Sequence, residues 1–181
     1  NAYLREQAGE MAEAIADQRA AADFYRRLEQ QSSRSRRPSP AEIDAFFTLA
    51  KLTYQADPAD YAAACDAIVA AEYYLILAIA HEQVAHPRPE DGLVWGVLVP
   101  TEFPQWLRPV WRLSALLHLV AGRSAYIDAR ILSSLPPQQW TAADVQRELP
   151  ALARQACQDL GRLRPENRPA NYETLLELAR R

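Results

Sequence analysis

The chain has 181 residues, 49% of them apolar, and a formal net charge of −3. That is enough for one domain with a sizeable core. The charge is too small to imply a polyanionic or polycationic partner, so any nucleic-acid surface has to come from a local cluster. Only five glycines, together with long Ala/Leu/Glu/Arg/Gln-rich segments, favour helix over sheet. The expected fold class is all-α, a single helical bundle of about five to seven helices with a buried central helix and a long Pro/Trp-rich loop. Arginine supplies nearly all the positive charge, Lys51 being the sole lysine, a usage that fits a GC-rich bacterial genome. The two cysteines, Cys65 and Cys157, lie far apart on predicted helices and are expected to stay reduced in a cytoplasm.

Residues 1–31 read as one amphipathic helix whose seam runs through Leu4, Ala8, Met11, Ile15, Ala22 and Tyr25, with a polar slot at Gln18. A seam this rich in alanine gains little from burial. It suits an edge helix or half of a partner interface, with Leu4, Met11 and Ile15 as contact residues; residues 40–181 would form the bundle core. Between them, "QQSSRSRRPS" from Gln30 to Ser39 has no apolar residue. It is expected to be a mobile loop that contacts no core residue, and its Arg34, Arg36 and Arg37 are the best nucleic-acid candidates in the chain. A solvated charged loop is the commoner meaning of such a cluster.

Ser39, Pro40 and Glu42 form a capping-box start for the next helix, which carries Ile43, Phe47, Ala50 and Tyr54 on one face. Asp57, Pro58 and Asp60 repeat the device for a helix expected to run from Asp57 to about His86. The apolar run inside it is long enough to span a bilayer, but Asp66 and Glu72 interrupt it, so it reads as a core helix. Glu72 shares a face there with Tyr61, Cys65, Ile68, Leu75 and Ile79, while Asp66, Ala70, Tyr74 and His81 fall opposite.

From Pro87 to Pro109 five prolines punctuate an apolar segment without helical continuity, an unusually long connection of the sort that carries function. Its aromatics, Trp95, Phe103 and Trp106, are the expected partner-binding surface alongside the first helix. A further helix begins near Gln105 or Pro109 and either stops at Gly122 or is read through into "RSAYIDARIL". Another starts at Thr141 and runs to about Leu163, interrupted by Pro150, and a last short one follows Asn171.

A buried glutamate needs a counter-charge, and an arginine is the expected partner of Glu72, Arg112 before Arg108, Arg123 or Arg130; with His118 the Glu72–Arg112 pair would outline a small-molecule pocket. The six-residue spacing of Arg112 and His118 resembles the Arg-to-His motif of the helical HEPN ribonucleases. On one helix, however, these side chains point about 120° apart, and Leu113 follows the arginine where that family tends to place a polar residue. No metal-ligand spacing, catalytic triad or glycine-rich phosphate loop is present in the sequence, so neither metal nor cofactor is expected. The sequence therefore points to a non-enzymatic interaction protein, an adaptor or assembly factor that binds a protein partner or a second copy, off the membrane. A helical small-molecule-binding domain comes second and a nucleic-acid-binding or nuclease-like protein third.

Overall fold

The computed structural model describes residues 10–32, 36–85, 104–122 and 142–181. Among these residues the protein is all-helical, with six helices, one 3-10 turn at Pro165–Asn167 and no strand. The helices are α1 (Met11–Gln31), α2 (Pro40–Ala56), α3 (Tyr61–Ala85), α4 (Pro104–Val120), α5 (Ala142–Gly161) and α6 (Tyr172–Ala179). In chain order, α1 packs on α2, α2 on α3, α3 on α4, α4 on α5 and α5 on α6. Leu4, Arg34, Trp95, Phe103, Arg123 and Arg130 fall outside the described residues.

The α1 seam is spent on α2. Ala14 and Ala22 are fully buried, and Met11 and Ile15 lie half-buried against Leu52. Gln18, the polar slot in the seam, donates its amide to the Ala45 carbonyl of α2 at 3.0 Å. The slot is thus a registration point between two helices.

The start of α2 follows its sequence closely. Ser39 is the N-cap, Pro40 opens the first turn, and the Glu42 carboxylate accepts the Ser39 backbone N–H at 3.1 Å. That return bond carries Glu42 to complete burial, where an ionised carboxylate requires a counter-charge. Arg36 supplies it with a direct guanidinium contact, and Pro38 is buried beside it. The expectation of a loop detached from the core is therefore wrong over residues 36–39. The capping box itself draws Arg36 inward, which also removes Arg36 as an open phosphate contact.

The turn into α3 begins three residues later than Asp57 implies. The Asp57 carboxylate accepts the Ala59 N–H at 2.9 Å, and its carbonyl accepts the Asp60 N–H at 3.0 Å. A local turn closed by an aspartate competes with helix initiation, so the helix proper starts at Tyr61. The stretch Tyr61–Ala78 is long and apolar enough to cross a membrane by length and composition, yet here it is the central helix. Ile68, Ala71, Leu75 and Ala78 are buried on it, leaving Asp66, Val69 and Tyr73 exposed along one narrow stripe.

Tyr74 was expected opposite the buried face, and the structure corrects this. It is buried, stacks on Phe46 at 5.1 Å between centroids with 23° between planes, and donates its hydroxyl to Glu29 of α1 at 2.6 Å. Helices α1 and α2 cover the side of α3 that the sequence pattern alone assigns to solvent.

Helix α4 starts at Pro104, so Trp106 belongs to its first turn and not to a loop; Pro109 lies inside it. From Val110 to Val120 the helix is buried nearly all round, Trp111 and Leu117 included, with Arg112 at the surface. Gly122, at φ 74°, ends the turn in a left-handed conformation that glycine adopts without strain. The Leu119 carbonyl accepts both the Gly122 N–H at 3.1 Å and the Asn171 side-chain amide at 2.5 Å, tying the end of α4 to the start of α6. Two further bonds fasten the C-terminal pair. Arg154 of α5 donates to the Ala179 carbonyl at 3.1 Å, and Arg168, stacked over the Tyr172 ring, donates to the Gly161 carbonyl at 3.2 Å.

Candidate functional site

Helix α4 touches both α2 and α5, and between the latter two a groove opens over it. Two adjoining cavities compose this groove, about 390 Å³ and about 490 Å³, and share Lys51, Leu113, Leu116 and Gln155 in their walls. One end is apolar, bounded by Phe47, Pro109 and Leu152. The other is polar, with Tyr54, Gln55, Asp159 and Arg162 around it. Sequence spacing explains the walls. Phe47, Lys51 and Tyr54 recur at four and three residues on α2, as do Leu152, Gln155 and Asp159 at three and four on α5, so each set lies on one helical face.

The polar end is incompletely satisfied. Tyr54 is 4% exposed, and its hydroxyl contacts the Asp159 carboxylate in a hydrogen bond of poor geometry. Burial pushes its pKa well above the usual phenol value, and the Asp159 carboxylate pushes it further. Asp159 is itself raised, chiefly by burial, with Arg162 and then Tyr54 pulling the other way. At the opposite rim Arg112 pairs with Glu148 at 3.3 Å while remaining half-exposed.

Of the residues expected to form a pocket, the structure sets Arg112 apart from Glu72 and His118. Glu72 and His118 are buried, at 7% and 4% exposure, in packed faces of α3 and α4, and each makes polar or ring contacts there. Arg112 stands on the outer side of α4 and turns to Glu148, so the expected Glu72–Arg112 pair does not form. The reason is that α4 buries its apolar residues on every side from Val110 onward, which leaves the Pro109–Arg112 edge as its surface. Arg112 does line a cavity, but one between α2, α4 and α5. An exposed Arg112 and a buried His118 also share no common site of the ribonuclease kind.

Of the basic residues, Arg36 is committed to Glu42, Arg26 lies over the Phe46 ring beside Asp23, and Arg37 is exposed. No group of three metal-ligating side chains occurs among the described residues. Neither Cys65 nor Cys157 is in a disulfide, and burial followed by the Glu173 carboxylate raises the Cys157 thiol above its ordinary pKa, the opposite of an activated nucleophile. Sequence reasoning missed Lys51, Tyr54, Leu113, Asp159 and Arg162 as neighbours. One signal was available: a lone lysine set between Phe47 and Tyr54 on an otherwise apolar face. Compared with protein-family models, curated proteins and solved structures, the chain matches none of them.

Proposed function

We propose that the chain is a non-enzymatic helical interaction module, an adaptor or assembly factor, whose contact surface is the groove walled by α2, α4 and α5. The observation that carries this reading is a groove with an apolar floor, Leu113 and Leu116, and a polar rim, Lys51, Gln155, Asp159 and Arg162. An apolar centre ringed by polar groups is the common anatomy of a protein contact surface. The α1 seam gives less support, because its Met11 and Ile15 already pack on Leu52. A small-molecule reading draws on the polar end alone, whose roughly 390 Å³ falls in the range of ligand pockets.

The test is affinity capture with the wild type, Leu113→Arg and Phe24→Ala. Leu113 is half-exposed in the groove and Phe24 is 54% exposed on α1, so both variants should fold, which a thermal melt checks. A partner kept by Phe24→Ala and lost by Leu113→Arg supports the groove. The reverse pattern would move the contact surface to α1 and end this reading.

A further inference from the structure

We draw no further inference here: the strongest candidate, the cavity of about 490 Å³ between the end of α1, residues 36–38 and α3, carries nothing, because its charged groups are already taken up in the corner, Glu29 by the Tyr74 hydroxyl and Arg36 by Glu42, and nothing in the structure shows what would fill it.

Discussion

Tyr74 and Tyr54 are both almost wholly buried tyrosines, and burial raises both phenols, yet they sit in opposite kinds of surroundings. At the α1–α2–α3 corner, Tyr74 donates to Glu29, stacks on Phe46 and has Glu42 nearby, which is itself held by Ser39 and Arg36. At the groove, Tyr54 faces Asp159 without a well-formed bond, beside a cavity. A buried polar network whose members satisfy one another fixes one packing of the chain. One whose members do not is open to a group from outside. The corner therefore reads as structure and the groove as site, although both combine aromatic, acidic and basic residues.

The largest expected effect tests the corner. Arg36→Ala leaves the fully buried Glu42 carboxylate without its counter-charge and should cost about 3 kcal/mol in urea unfolding, the scale for breaking a buried pair from one side. Combining it with Glu42→Gln should recover part of that loss, because Gln at the third helical position keeps the capping box without the charge. A cost of Arg36→Ala under about 1 kcal/mol would place this pair with the weak surface ion pairs, and the contrast between the two regions would lose its basis.

Next in size is the tyrosine pair itself. Tyr74→Phe removes a donor to a carboxylate and should destabilise by about 1.5 to 2 kcal/mol. Tyr54→Phe removes a buried hydroxyl that has no good bond to lose and should stay within about 0.5 kcal/mol of the wild type. Equal costs would show that Tyr54 is as firmly bonded as Tyr74, and the groove would then be a satisfied piece of core.

The corner was half legible in the sequence and the groove hardly at all. Ser39, Pro40 and Glu42 announce the start of α2 within four residues, because caps are local chemistry. The pairing of Arg36 with Glu42 is not legible in the sequence, since the apolar count of the Gln30–Ser39 loop says nothing about where Glu42 is carried. Tyr74 was misplaced for a different reason. A helix apolar on every side has no preferred face, so periodicity within α3 cannot say which neighbours cover it. Arg112 was assigned inward by the same kind of argument, from a strip shared with Leu116 and Leu119, on a helix that is buried almost all round. The groove draws on residues from Phe47 to Leu163 across three helices, and only tertiary packing brings them together.

The smallest effect concerns Asp159 and decides what the polar end of the groove is. Burial raises its folded-state pKa above the ordinary 3.8, so the native state holds the proton more tightly than the unfolded chain does. The stability linked to this group is then fully present below the ordinary carboxylate value and is lost as pH rises through the raised one. Asp159→Asn removes the dependence. In urea unfolding at pH 7 the variant should be slightly more stable than the wild type, and the gap should close on acidification toward pH 4. Arg162 pulls against burial and the carboxyl is partly exposed, so the change is modest. The opposite result, a wild type that loses ground to Asp159→Asn as pH falls, would mean that Arg162 more than offsets the burial of Asp159. That end of the groove would then be a closed ion pair of the Arg36–Glu42 kind, with no polar group left over for a partner.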